Sequence, residues 1–346
     1  MENGNWLILG GVGYIGRNLC QFLLESHIAS HITVADKALP ATSNFHPIHL
    51  ETFASIEVIQ TDLSRNPSKA FNKEYRYIVN LTGETRGDLP ESRYRMCSVG
   101  VIQACKPFIG NSKWIEISTG LVYKSNKKGA KENEKLEPWT IEGRWRLEAE
   151  KSLEGINSVI LRSARVYGNG DFTTIAPRAI LAAVYLRLKK EMKLLWGSDL
   201  RISTIHIRDL CRAIVHLKDL EGVFNVTDGA DTKQEDFSRI IESLFHIRAN
   251  YYSRVISNLA SLQAVAEEAN EIHMAPWGAI CSEAGIDCPI YPYVEQENLD
   301  GSHMALNSQK LLSTGFTFEQ PRLTEENVRQ SLNWLIEYQV IPNIIK

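Results

Sequence analysis

Three glycines in the run GGVGYIG, Gly10, Gly13 and Gly16, have the spacing that holds a diphosphate. In a strand-to-helix turn the first permits the sharp bend, the second lets the backbone approach the anion, and the third lets the helix pack closely on the strand. Tyr14 and Ile15 then open a helix whose first N–H groups lack intrahelical partners and face the anion. Asp36 closes the next apolar run, where a carboxylate accepts from a ribose 2′-hydroxyl and repels a 2′-phosphate. NAD is therefore favoured over NADP, even with Lys37 adjacent. Farther along, in PWTIEGRWRLEAE (138–150), Glu142 and Arg146 stand one helical turn apart. Burial can raise a glutamate's pKa far enough for proton transfer, and an arginine can hold ribose hydroxyls. The plainer reading of the spacing is an exposed helix ion pair worth about 0.3–0.5 kcal/mol.

These residues need a scaffold, and the chain spells one out. NWLILG (5–10) reads as a buried strand running into the glycines, followed by the helical pattern Ile15, Leu19, Phe22, Leu23. HITVAD (31–36), IEVIQ (56–60), YRYIVNL (75–81), KWIEIS (113–118) and NSVILRS (157–163) read as further strands, with helices over 91–108 and 139–153. That alternation predicts an α/β class, a Rossmann-like doubly wound parallel sheet whose strand C-termini make the site. After Tyr167 the alternation loosens: a helix over 174–191, a strand and helix in ISTIHIRDLCRAIVHL, a strand in GVFNVTD and a helix over 232–247. The stretch 250–305 reads as helical and irregular, and its GSHM (301–304) as native sequence. The expected organisation is an NAD(P)-binding Rossmann domain over 1–170, with 205–230 returning to it. A smaller C-terminal substrate lobe takes 171–204 and 231–346.

Composition narrows the functions open to this scaffold. A chain of 346 residues that is 44% hydrophobic and 23% charged can bury a large core, and its net charge of -3 gives no footprint for nucleic acid. The lysines between Lys124 and Lys135 are offset by Glu132, Glu134 and Glu137. Six cysteines form no C-x-x-C, and HPIH (46–49) lacks a third ligand, so no metal is expected. No apolar stretch is long enough for a membrane span and no leader pattern opens the chain, so a cytoplasmic address is expected. RGD at 86–88 reads as chance.

With the glycine turn and Asp36, the stretches TDL (61–63), NLTG (80–83), STGLVY (118–123), LRSARVYG (161–168), IHIRDL (205–210) and FNVTDG (224–229) carry a resemblance. From Trp6 to about Trp334 the chain resembles the extended short-chain dehydrogenase/reductase superfamily, in its NAD-dependent epimerase/dehydratase branch. The resemblance implies that Asp62 and Leu63 lie near the adenine, that Leu81, Thr82 and Gly83 line the cofactor, and that Thr119 is an active-site hydroxyl. It also implies a small-molecule ligand, such as a nucleotide sugar, in the C-terminal lobe.

Working members use a tyrosine as general acid/base and a lysine four residues on. Counting back from LEAE puts Glu142 and Arg146 in those places, and Ser98 stands where the family usually has an asparagine. Tyr123 with Lys127, and Tyr185 with Lys189, repeat the spacing at the wrong stations. His206 reads as a lobe joint, and Arg162 and Tyr167 as part of the segment bending toward substrate. The first expectation is an NAD(H)-binding protein without conventional tyrosine-dependent hydride chemistry. The alternatives are an active nucleotide-sugar epimerase/dehydratase or reductase with relocated acid/base residues, and a structural or regulatory subunit. A homodimer and a place in a larger complex both stay open.

Overall fold

The computed structural model describes residues 4–44, 46–87, 89–259 and 261–345; Asp88 of the RGD run lies outside them. The first half alternates strand and helix: β1 (Gly4–Leu9), α1 (Tyr14–Glu25), β2 (Ala29–Asp36), α2 (Pro47–Ala54), β3 (Glu57–Gln60) and β4 (Tyr77–Asn80). Then come α3 (Glu91–Arg95), a π-helical turn (Met96–Gly100), α4 (Val101–Cys105), β5 (Lys113–Thr119), α5 (Ile141–Ser152) and β6 (Ser158–Ser163). These strands, with the later β10, make a parallel sheet in the order β10-β6-β5-β4-β1-β2-β3. The chain winds outward from β1 to β3 and then crosses back to β4, so the order reverses at β1 and β4. A ligand crevice opens at such a reversal, outside the strand C-termini.

Strand alternation explains the two-sided burial. Trp6 and Ile8 of β1 join Leu19 and Leu23 of α1 on one face, while Leu7 and Leu9 join Ile102 and Ala149 on the other. A sheet covered on both faces needs continuous apolar strands, and that is why NWLILG carries so little polarity.

The second half adds β7 (Arg165–Tyr167), α6 (Ala176–Leu188), β8 (Met192–Leu194), β9 (Thr204–His206), α7 (Ile207–Leu217), β10 (Gly222–Val226) and α8 (Gln234–Phe245). It closes with β11 (Ala249–Tyr251), α9 (Arg254–Leu259), α10 (Leu262–Ala284), α11 (Gln309–Leu312) and α12 (Glu325–Glu337). Helices α6, α8, α10 and α12 share a separate core around Ile180, Phe245, Trp277 and Leu332. Leu306, Leu311 and Phe316 leave that lobe and pack into the sheet's own core beside α7. The stretch read as mixed, 250–305, holds the 23-residue α10. Its pattern was faint because the helix buries few side chains, Ala266, His273 and Trp277, and carries Pro276 inside.

Candidate functional site

The glycine turn has the geometry its spacing predicts. Gly10 sits at φ +74, and Gly13 N–H donates to its carbonyl at 3.2 Å. A Cβ on Gly16 would lie 2.4 Å from the Cα of Gly11. Among the described residues no side chain caps α1, which begins after Gly13, and no acidic residue occupies its first turn. That leaves the first-turn N–H groups and the positive end of the helix dipole for an anion.

Asp36, at the end of β2, accepts from Val12 N at 3.0 Å and Ala38 N at 3.0 Å, so the carboxylate is tied directly to the glycine turn. Asp62 follows β3; hydrogen bonds from the Ser64 hydroxyl (2.6 Å) and amide (3.0 Å) hold its carboxyl below the usual range. Leu63 turns into the core. After β4, the Asn80 side-chain oxygen accepts from Thr82 N (3.2 Å) and Thr82 Oγ1 (2.7 Å), fixing the Leu81–Thr82–Gly83 turn. Tyr14 and Ile15 stand at the start of α1, but the Tyr14 ring lies against Gly170 and its hydroxyl is buried with no hydrogen bond among the described residues. Arg17 donates to Val12 O at 3.1 Å and to Ser43 and Asn44 carbonyls at 3.2 Å, bracing the turn from below. Sequence reasoning passed over Arg17, which donates to backbone carbonyls, and Asn80, which joins the Thr82 amide and hydroxyl to the Glu116 carboxyl 36 residues away; neither leaves a pattern in the sequence. An uncapped helix terminus, a close-approach turn and an acidic strand end together fit a dinucleotide.

The α5 station is built differently from its expected form. Thr140 caps the helix by accepting from Gly143 N at 3.0 Å, and a Cβ on Gly143 would lie 2.5 Å from the Leu121 carbonyl oxygen. The first turn of α5, with half-buried Glu142, therefore abuts the short turn after β5. Thr119, at the end of β5, caps that turn by accepting from Leu121 N at 3.3 Å. Arg146 does not run along the helix surface toward Glu142. It turns inward, and Nη1 donates to Thr82 O at 2.6 Å and Ile117 O at 3.2 Å, the carbonyls at the ends of β4 and β5. The exposed ion pair is thus replaced by a buried guanidinium seated on strand ends.

Ser98 lies in the π-helical turn, buried, and its hydroxyl donates to Tyr94 O at 2.6 Å. That hydroxyl is committed to its own helix. Tyr185 pairs with His273 in the second lobe (3.2 Å), and His206 caps α7 by accepting from Arg208 N at 3.3 Å. Neither belongs to the strand-end site.

Beneath α5 runs a network of buried polar groups. Glu150 accepts from Arg162 Nη2 at 2.6 Å and from the Ser118 hydroxyl; both charged side chains are buried. Arg162 Nη1 donates to Tyr123 Oη at 2.8 Å, and Tyr123 donates to Asn225 Oδ1 at 2.7 Å. Tyr123 is thus a cross-sheet strut, and Arg162 points into the sheet.

Nearer the site, Glu116 Oε2 accepts from Trp114 Nε1 and Asn80 Nδ2, each at 2.8 Å, while Oε1 has no hydrogen-bond partner among the described residues. Burial pushes this carboxyl up to about 7, against the lowering by those two donors and by Arg146, with Glu150 raising it further. An acid whose pKa is raised on folding loses stability as pH climbs from the ordinary carboxylate range through the folded value, here by something of order 3 kcal/mol. Asp228, pushed by burial to about 7, adds a slope of the same sign. Glu116→Gln imitates the protonated acid and is expected to flatten the fall in denaturant stability between pH 5 and pH 8. Equal slopes in variant and wild type would refute this assignment.

In the second lobe, a cavity of about 180 Å³ is lined by Trp196, Gly197, Leu200, Asn258, Gly301 and His303. Trp196 holds a left-handed backbone (φ +66), and its Nε1 donates to Leu299 O at 2.7 Å. Its ring lies so close to Gly301 that a Cβ there would sit 2.6 Å away. Among the described residues no cluster could hold a metal ion, and no helix is long and apolar enough to cross a membrane.

A doubly wound parallel sheet with a glycine turn at its reversal and a carboxylate closing β2 defines a dinucleotide-binding α/β fold. The chain belongs to the NAD dependent epimerase/dehydratase family, whose model matches residues 6–226, and NAD is the cofactor expected of that family. Solved structures with this architecture include the Bordetella bronchiseptica enzyme WbmG in complex with NAD: TM-score 0.68, 18% identity, 98% of this chain and 96% of that one. A UDP-N-acetylglucosamine 4-epimerase from Methanobrevibacter ruminantium M1, in complex with UDP-N-acetylmuramic acid, gives TM-score 0.67 at 19% identity over 97% and 99%. The UDP-glucose 4-epimerase of Thermus thermophilus, in complex with NAD, gives 0.66 at 16% over 95% and 98%. No curated protein sequence matches.

Proposed function

We propose that this chain binds NAD(H) at the C-terminal edge of its sheet and does not run conventional tyrosine-dependent hydride chemistry. The observation carrying this reading is the contrast between two ends of one site. At one end Gly10, Gly13 and Gly16 shape an uncapped helix start with Asp36 tied to it. At the other, Glu142 and Arg146 stand where the resemblance would put the acid/base pair, and the guanidinium is seated on the Thr82 and Ile117 carbonyls.

NAD, when bound, supplies a hydride acceptor. The chain's share is to receive the diphosphate on the first turn of α1, to accept the adenosine ribose hydroxyl at Asp36, and to flank the rest with Asp62, Leu63 and the Leu81–Gly83 turn. Calorimetry is expected to give a Kd of order micromolar for NAD or NADH, with no growth of reduced-nicotinamide absorbance on adding nucleotide sugars. Absence of heat with both cofactors would overturn the reading.

One observation favours a second reading, an active epimerase, dehydratase or reductase. Half-buried Thr119 and Glu142 stand on abutting turns at the strand ends, a hydroxyl and a carboxylate able to share a proton. Under this reading a nucleotide sugar raises the absorbance of bound cofactor, and Glu142→Gln abolishes that signal while NAD still binds. The cavity beside Trp196, and the nucleotide sugars named with the similar structures, support such a ligand.

A further inference from the structure

Helix α10 is the longest helix among the described residues, and it meets its own chain along one side only. Ala266, His273 and Trp277 are buried, while Ala264, Glu268, Glu271 and Ala275, on the opposite side of the helix by its 3.6-residue period, are exposed.

Large apolar side chains flank that open face. The segment after α10 turns back along it: Trp277 Nε1 donates to Ile290 O at 2.9 Å, and Asn270 holds the Val294 N–H (2.7 Å) and carbonyl (3.0 Å). Between these two ties Tyr291 and Tyr293 stand 54% and 57% exposed, and Met274, one turn from Asn270 on the same flank, is 40% exposed. Tyrosine and methionine are the residue types enriched where protein surfaces meet. A twofold contact along the roughly 35 Å of this helix, with the tyrosine segment beside it, is on the scale of the roughly 800 Å² per partner that a stable dimer takes.

The charges name the occupant. Toward the N-terminal end of α10, Glu268 and Glu271 have no ion pair among the described residues, and the helix carries no lysine or arginine. Against its C-terminal end lies the end of α6, fixed there by Arg187, whose Nη1 and Nη2 donate to Glu283 at 2.7 and 2.6 Å. Lys189 and Lys190 follow, exposed and likewise without an ion pair among the described residues. The acidic and basic ends of the strip are about 20 Å apart along the helix, out of each other's reach within one chain. A twofold pairing sets each end of the strip against the opposite end of its copy. With the axis near Ala275, antiparallel helices bring acid to base twice over, and both unpaired clusters are answered.

We propose that the exposed face of α10, with Tyr291 and Tyr293, is a self-association surface. A second copy of this chain seats its own α10 there antiparallel, with Glu268 and Glu271 of each copy facing Lys189 and Lys190 of the other.

Light scattering on protein at micromolar concentration is expected to give twice the 39.1 kDa of one chain. Tyr293→Asp puts a charge into the apolar strip and should raise the dimer dissociation constant about thirtyfold or more. Glu268→Lys alone and Lys190→Glu alone should each weaken the dimer about tenfold, and the double variant, with both signs exchanged, should return to within about threefold of wild type. All three side chains are exposed, and circular dichroism reports whether each variant is folded. A single-chain mass for the wild type overturns the proposal, as does a dimer that Tyr293→Asp leaves unmoved. A double variant no tighter than either single change overturns the antiparallel pairing.

Discussion

Glu150→Ala is expected to cost about 3–5 kcal/mol of folding stability, because it strands the buried Arg162 guanidinium without its partner. The loss goes beyond one ion pair. Glu150 accepts from Arg162 Nε as well as Nη2, at 3.0 and 2.6 Å, and from the Ser118 hydroxyl, so removing it leaves donors on two strands unpaired. Denaturant unfolding measures the loss, and a cost below about 1 kcal/mol would show that the pair is not anchoring α5. Replacing both charges, Glu150→Leu with Arg162→Met, is expected to be milder than the single change, since no charge is then left buried alone. The functional consequence follows from position: α5 carries Glu142 and Arg146, and this pair fastens its last turns to β5 and β6.

Gly16→Ala has the second large effect. The three atoms nearest the new methyl would be backbone, the Cα, carbonyl oxygen and carbonyl carbon of Gly11 at 2.4 to 2.6 Å, and backbone cannot swing aside as a side chain can. Helix α1 has to move off the glycine turn, at a cost of about 3 kcal/mol. Its uncapped N-terminus moves with it, and NAD affinity should fall along with stability. A variant that kept both within error would show that the third glycine is not what seats α1 on β1. Gly13→Ala makes a useful contrast, because the Cβ would meet only the Gly10 carbonyl, at 3.3 Å.

The glycine turn and acidic strand end of the candidate cofactor site are legible in the sequence because their parts are local. Gly10 to Gly16 and the approach to Asp36 form one β–α–β unit, and the turn, the helix start and the acidic strand end each leave a residue type at a fixed offset. The α5 half was harder to read, for a physical reason. Glu142 and Arg146 are one turn apart on a helix, which suggests an exposed pair, but the direction a long side chain takes depends on what covers the helix. Here the open carbonyls of Thr82 and Ile117 draw the guanidinium inward.

The buried network was hidden for a related reason. Trp114, Glu116 and Ser118 alternate along β5 as residues of a solvent-facing strand would, whereas α5 roofs that face and supplies Glu150 from 32 residues away. Asn225 and Tyr123, 102 residues apart, meet in the same way. Polar groups in a sheet covered on both sides find their partners through topology, and sequence spacing carries no trace of it.

The return of Leu306, Leu311 and Phe316 to the core around β1 and α7 bears on how the molecule is made. During synthesis the nucleotide-binding half emerges first, but its own hydrophobic packing stays incomplete until the segment near residue 316 leaves the ribosome. The intervening lobe must be spooled out as a loop before that contact closes. Such late, long-range closure slows folding and leaves apolar surface open meanwhile, so a chain cut short of Leu306 should emerge aggregation-prone even though every strand of its sheet is present.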